Sequence, residues 1–385
     1  RTPGGDSPEA LVETAIAGHP IVGPNARFSA ETYACSLAAG VHTAPPNVHE
    51  RILSPMARHA YGAALEAWQM AGAPTGPRVG LFAGIGGPRA DWPVLMPALA
   101  KQNEALTDTW QNGFRRLHPF WMLQHLSNNA HALLSIEVGA LGEGLMFGGA
   151  NGGCQALAAA ERALNAEAVD VAVVMAYDSL LEPEKLVPMA ARGELFLGGA
   201  HQGGPYDQHA RGAIPGEAAA ALVLSRLENT GEPPLFSLTA EAAADGRRGR
   251  AGAEVLAGLA RRLRRRAPTG ALFIDGAGAC VPEADELERA ALADALGDDG
   301  LQLTTLAGCL GQVGAADGLV RAVAMGAALR AGRLYPIAGL TRPAPGPLRP
   351  LRTPTADIPA AGLALCGASP GLAGAVLVSR TAACL

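Results

Sequence analysis

The chain has 385 residues, of which 49% are hydrophobic and 17% charged, and 30 Lys+Arg against 35 Asp+Glu leave a net charge of −5. Disordered chains are poorer in apolar residues and more highly charged. A nucleic-acid binder is usually basic overall, which this chain is not. The length suits one large domain or two ordinary ones, with ample chain to bury a core.

In chain order, short apolar runs alternate with helical patterns, which predicts an α/β protein. Val79–Gly84 reads as a strand entering the turn Gly84-Ile85-Gly86-Gly87. Cys154–Ala166 reads as a helix and Val169–Ala176 as a buried strand. Ala218–Leu227 is a further buried strand. A second alternation starts near Leu235. Val255, Leu256, Leu259 and Leu263 mark one helix face, and Ala271–Asp275 is a strand. Leu287–Leu296 and Leu319–Leu329 are helices, and the Pro-rich stretch Arg342–Pro359 must be extended or loop-like. Ala361–Cys366 and Gly374–Ser379 close the chain as strands. The division expected is two α/β halves, 1–230 and 235–385, without short-period repeats.

Gly 49 and Pro 29 exceed the average for the pair, and Lys101 and Lys185 are the two lysines. This Ala/Gly/Arg/Pro bias fits a GC-rich coding sequence better than a physical constraint. The six cysteines form no C-x-x-C pair and are spaced too widely for a disulfide scaffold or a zinc site. Buried structural thiols are expected, with Cys280 and Cys366 in the core. His118, His125 and His131 are spaced by seven and six, which does not suit ligation on one helix face, so no metal is expected. Gly148–Gly153 lacks the spacing of a phosphate loop. No secretory signal opens the chain and no apolar run approaches the roughly 18 residues of a membrane span, so a cytoplasmic, membrane-free protein is expected. The abrupt start at Arg1 reads as a chain with native residues missing before it.

The segment Pro205–Glu228 resembles the β-ketoacyl synthase signature PFDxxRxGFVxGEGAGxLVLExLE. Its anchors are Pro205, Asp207, Arg211, Gly212, Gly216 and Glu217, in register. Gly84–Gly87, Pro119–Ala130 and Gly308–Arg321 resemble other segments of that family in the same order. The resemblance covers almost the whole chain. It implies a thiolase-like, five-layered α-β-α-β-α fold of two pseudo-duplicated halves, usually paired through the N-terminal ones.

The resemblance also locates the chemistry. A ketosynthase needs a thiolate at a strand–helix elbow, where the helix N-terminus lowers the thiol pKa and backbone N–H groups bind the oxyanion. It needs two imidazoles to stabilise the enolate left when a malonyl thioester loses CO₂. Carried onto this sequence by spacing, the thiolate position is Ala150, the imidazole positions are Ala277 and Cys309, and the family's lysine is Thr304. Independently, no histidine follows His209, so the second half holds none.

A ketosynthase fold stripped of Cys-His-His resembles the chain-length factor of type II polyketide synthases, with Leu126–Ala130 and the elbow closer to aryl-polyene and other highly reducing systems than to aromatic ones. That resemblance implies a non-catalytic partner of a catalytic ketosynthase in a heterodimer. No cofactor is bound by the chain itself; an acyl carrier protein supplies the phosphopantetheine-linked acyl chain. The family's tunnel and dimer interface point to Asp91, Trp92, Leu95 and Met96, and to Phe120, Trp121 and Met122, the alternative being simple interface packing. Arg261, Arg262, Arg265 and Arg266 are a solvated helix face or a docking patch for the acidic carrier. Two rival readings are an active synthase using Cys154 and a carrier-binding scaffold without chemistry.

Overall fold

The computed structural model describes residues 1–27, 35–87, 117–198, 203–229, 234–245, 249–298, 301–367 and 371–381. In chain order, α1 is Pro8–Ala17, β1 Gly23–Pro24, β2 Leu37–Ala38, α2 Pro55–Met70 and β3 Val79–Ile85. Then come α3 Trp121–Gln124, α4 Asn129–Glu137, β4 Gly144–Gly148, α5 Gly152–Asn165, β5 Val171–Ser179, α6 Pro183–Ala191 and β6 Glu217–Ser225. The second run is β7 Ser237–Ala244, α7 Gly249–Arg264, β8 Leu272–Asp275, α8 Pro282–Leu296 and β9 Gln302–Thr304. It ends with α9 Ala307–Leu310, α10 Asp317–Ala331, β10 Ala361–Cys366 and β11 Leu372–Ser379.

Two sheets carry the molecule. One has the order β4-β3-β5-β6, drawn entirely from residues before 230, and the other β7-β11-β10-β8-β9, drawn entirely from residues after 235. In each, a parallel core (β4, β3, β5; β9, β8, β10) ends in an antiparallel strand, β6 or β11. Helices α5 and α10 lie between the sheets and pack on both. Helices α2 and α4 cover the outer face of the first sheet, and α7 covers that of the second with α8 beside it. The order is α-β-α-β-α, the thiolase-like fold.

The central helices explain part of the composition. A helix pressed between two sheets is buried all round and leaves little room for side chains. In α10 every residue from Asp317 to Ala328 except Val323 is buried, and a Cβ at Gly326 would overlap the Phe236 ring. In α5 the residues Gly152, Gly153, Ala156, Ala158, Ala159 and Ala160 are buried together. The small-residue bias is therefore in part a packing requirement, which corrects the purely compositional reading. By contrast α7 is one-sided, burying Leu256, Leu259 and Leu263 with Arg261 and Arg262 outward.

The Pro205–Glu228 signature lashes the halves together. Buried Asp207 accepts from Thr341 N (2.6 Å), Arg342 N (2.7 Å) and His209 N (2.8 Å). Burial alone would raise its pKa, but these backbone donors hold it below the ordinary value. Gly216 N donates to Gln312 O at 2.7 Å, and buried Glu217 pairs with Arg27 at 2.6 Å. Arg289 ties down the Pro-rich stretch by donating to Pro347 O and Ala344 O, carbonyls whose proline neighbours offer no N–H in return.

Candidate functional site

The site is built at the junction of the two halves. Strand β4 runs into Gly149, whose φ of +100° is readily available only to glycine, then Ala150 and Asn151, and α5 begins at Gly152. Asn151 pins this elbow to the second sheet, donating to Ala373 O (2.8 Å) and Ala243 O (3.0 Å). Gly84 of β3 faces the α5 backbone at Gly152 so closely that any Cβ would overlap it. From the other half, Ala277 follows β8, and Gln312 lies in the loop between α9 and α10 with its Nε2 donating to Gly278 O at 2.9 Å. Ala150, Ala277 and Gln312 line one cavity of about 500 Å³, within the size range of small-molecule sites.

Behind Ala277 lies a buried polar network. Glu288 also borders the cavity and accepts from Ala277 N (2.7 Å), Gly278 N (3.2 Å) and the Tyr206 hydroxyl (3.0 Å). Burial still raises its carboxyl above the usual range. Asp285, one turn earlier on α8, is pushed up to about 7, first by burial and then by Glu288, although Tyr206 N donates to it. Deeper still, Arg321 of α10 pairs with Asp275 and with Asp317 (2.7 Å), and donates to Gly276 O at 2.6 Å. Burial opposes its charge, but the two carboxylates outweigh burial and raise its pKa. Tyr335 completes the network by donating to Asp275 at 2.6 Å.

Two of the four degenerate positions read from the sequence, Ala150 and Ala277, meet at the cavity; Cys309 and Thr304 are not among its lining residues. Cys309 is buried in the core on α9, with burial pushing its thiol up to about 12. Thr304 donates to Tyr335 O at 2.6 Å. The loop after α9 runs on to Gln312 and Gly314, and these line the cavity instead. Spacing from the resemblance marks Cys309 as an imidazole position, but Gln312, three residues on, is the residue that borders the cavity. Cys366 is in the core as expected, and it also lines the cavity, its sulfur meeting that of Cys154 at 3.1 Å. Cys154 is fully buried inside α5.

Asp91, Trp92, Leu95 and Met96 lie outside the described residues. Phe120 and Met122 are 44% and 64% exposed, beside exposed Leu123 and Leu126, while Trp121 is half-buried against His125 (4.4 Å between centroids). His125 and Leu126 also border a second pocket of about 70 Å³ that shares Asp178 with the large cavity. Of the arginines, Arg262 pairs with Glu241 (2.5 Å) and Arg266 with Glu161 (3.7 Å), while Arg261 and Arg265 are exposed. Sequence reasoning missed Asp178, Gln312 and Glu288. The available signal was an Asp closing an otherwise apolar strand, and carboxylates on the inward face of a helix. Among the described residues no group of three or more His, Cys, Asp or Glu is placed to hold a metal ion, and no helix is long and apolar enough to cross a membrane.

A family model described as "Beta-ketoacyl synthase, N-terminal domain" matches residues 1–230. The chain belongs to the β-ketoacyl synthase family. No curated protein sequence matches it significantly. Solved structures do. "The ishigamide ketosynthase/chain length factor" aligns over 99% of this chain and 96% of that one, with TM-score 0.85 and 18% identity. A β-ketoacyl synthase from Burkholderia phymatum STM815 aligns over 99% and 97%, with TM-score 0.83 and 17% identity. The complex "AntDE:AntF", a type II polyketide synthase acyl-carrier protein with its hexaketide-bound ketosynthase, aligns over 99% and 97%, with TM-score 0.79 and 15% identity. At these identities the likeness establishes a shared fold. This β-ketoacyl synthase relative therefore carries the family's architecture around an elbow that bears a methyl group.

Proposed function

We propose that this chain is the non-catalytic, chain-length-factor subunit of a ketosynthase heterodimer in a type II polyketide synthase. One observation carries the reading: the cavity wall offers Ala150 at the helix-terminal elbow, with Ala277 and Gln312 opposite. Acyl transfer needs a thiolate at the elbow, and decarboxylative Claisen condensation needs donors for the enolate oxygen. Methyl groups supply neither, and the Gln312 amide is held by Gly278 O. The cavity-lining thiol, Cys366, has its pKa raised by its contact with Cys154 and by burial, which makes it a poor nucleophile.

The catalytic partner supplies the thiolate and imidazoles, and an acyl carrier protein delivers the growing chain on its phosphopantetheine arm. Two surface features support an assembly role. Among the described residues β4 hydrogen-bonds to one neighbour, β3, so it is a sheet edge with pairing groups to offer. Phe120, Met122, Leu123 and Leu126 concentrate large apolar side chains on a single short exposed segment. In the heterodimer this face meets the ketosynthase, and Trp92 with its neighbours shapes the shared tunnel.

Co-expression with a ketosynthase carrying intact Cys-His-His should give a tight 1:1 complex that extends chains, whereas this chain alone should not condense. Within the complex, Trp92→Ala should lengthen the product. A stable homodimer that never exchanges with a ketosynthase, or condensation by the isolated chain that is lost in Cys154→Ser, would overturn the reading.

A further inference from the structure

We propose that Cys154 and Cys366 form a reversible disulfide that ties the first half of the molecule to the second through the wall of the central cavity. Cys154 lies in the first turn of α5 and Cys366 is the last residue of β10, 212 positions away. Their sulfurs already meet at 3.1 Å, and they are the two of the five described cysteines whose thiols do so.

The surroundings are shaped around this pair. A Cβ at Gly318 of α10 would overlap the Cys154 sulfur, and one at Gly374 of β11 would lie 2.5 Å from it and 2.6 Å from the Cys366 sulfur. Neither glycine has the left-handed φ that would explain it by backbone conformation. Cysteine sulfur occupies the space a side chain would need, that of Cys154 at Gly318 and those of both cysteines at Gly374. Helix α10 and strand β11 thus close over the pair from two sides, leaving the sulfurs facing one another. The third side is open: Cys366 lines the cavity of about 500 Å³, which gives a small oxidant a route to it.

With hydrogen peroxide as the oxidant the step balances. The Cys366 sulfur attacks one peroxide oxygen, the O–O bond breaks, and Cys366 becomes a sulfenic acid as the first water leaves. The Cys154 sulfur then displaces that hydroxyl, forming the S–S bond and releasing a second water. Two thiols are oxidised and one peroxide is reduced to two waters, and a dithiol reverses the reaction by exchange. The contact with Cys154 and burial both raise the Cys366 thiol pKa, which makes the first step slower than at an exposed thiolate. Once formed, the bond holds α5, which starts at the elbow, against the second sheet. It closes a loop spanning 212 positions, from α5 in the first half to β10 in the second.

The full chain is exposed to hydrogen peroxide, denatured, alkylated with N-ethylmaleimide, digested and mapped by mass spectrometry, with and without dithiothreitol. The expected result is the loss of two alkylatable thiols and a Cys154–Cys366 cross-linked peptide. The melting temperature should rise by roughly 5 °C, and dithiothreitol should reverse both changes. Cys154→Ser and Cys366→Ser should each abolish the cross-link and the thermal gain; if either fails to fold, the wild-type map decides alone. All six thiols still alkylatable after peroxide, Cys366 recovered as a sulfinic acid, or Cys366 linked to another cysteine would each overturn the proposal.

Discussion

Substituting Gly318→Ala tests how tightly the central layer is fitted around Cys154. The new methyl would overlap the Cys154 sulfur, while its next contacts, Cys154 N at 3.4 Å and Cys154 Cβ at 3.5 Å, are ordinary. The sulfur cannot retreat, because Gly374 and Cys366 hold its other sides. An overpacked core of this kind costs about 1–3 kcal/mol, and the deep overlap argues for about 3. Replacing glycine by alanine within α10 returns about 1 kcal/mol in helix propensity. The single variant should therefore lose about 2 kcal/mol. Cys154→Ala alone removes one buried heavy atom and should lose about 1 kcal/mol. In Gly318→Ala/Cys154→Ala the added methyl takes the place of the missing sulfur, so the double variant should be within about 0.5 kcal/mol of the parent. The coupling energy is then about 3 kcal/mol, measurable by urea denaturation of all four proteins. A double variant that loses the sum of the two single losses would refute the reasoning.

Four further outcomes are expected. Arg321→Met should cost about 3–5 kcal/mol, because Asp275 and Asp317 remain buried without their counter-charge; Asp275→Asn/Asp317→Asn in the same background should recover part of that loss in a melting experiment. Asp285 is raised from 3.8 to about 7 in the folded chain, so between those pH values the folded state holds a proton that the unfolded state has released. Stability from this group is full below about pH 4, falls as pH rises, and levels off above about 7, a span of up to about 4 kcal/mol. Asp285→Asn should flatten that decline between pH 5 and 7.5 in denaturant titrations, and an unchanged slope would count against it. Ala150→Cys should place a thiol at the helix start that iodoacetamide labels faster than any native cysteine, yet condensation should stay undetectable with Ala277 opposite it. Phe120→Glu/Met122→Glu should leave the melting temperature within about a degree of the parent but abolish co-purification with the ketosynthase; undiminished co-purification would move the interface elsewhere.

Much of the architecture was legible from local pattern. Strand Val171–Ser179 and helix Asp317–Ala331 announce themselves as apolar runs of the right lengths. The Pro205–Glu228 signature is readable because its anchors, Asp207, Gly216 and Glu217, each satisfy backbone or charge partners that admit few substitutes. Ala150, reached by counting, lies in the cavity-lining elbow between β4 and α5. The missing second-half histidines needed no alignment at all.

Counting does not say which residue of a loop faces inward. Between α9 and α10 the residue facing the cavity is Gln312 and not Cys309, since the turn through Gly311, whose φ is +66°, carries Cys309 into the core. The meeting of Cys154 with Cys366, and the glycines that make room for it, joins residues more than 200 positions apart. No local pattern encodes such a contact, because helix and strand periodicities report which face is buried, not what it is buried against. Composition determined a large, weakly charged α/β chain, and the order of motifs determined its family. Only the packing of two sheets on a shared layer of small-residue helices decided what lines the cavity, because that wall is assembled from both halves at once.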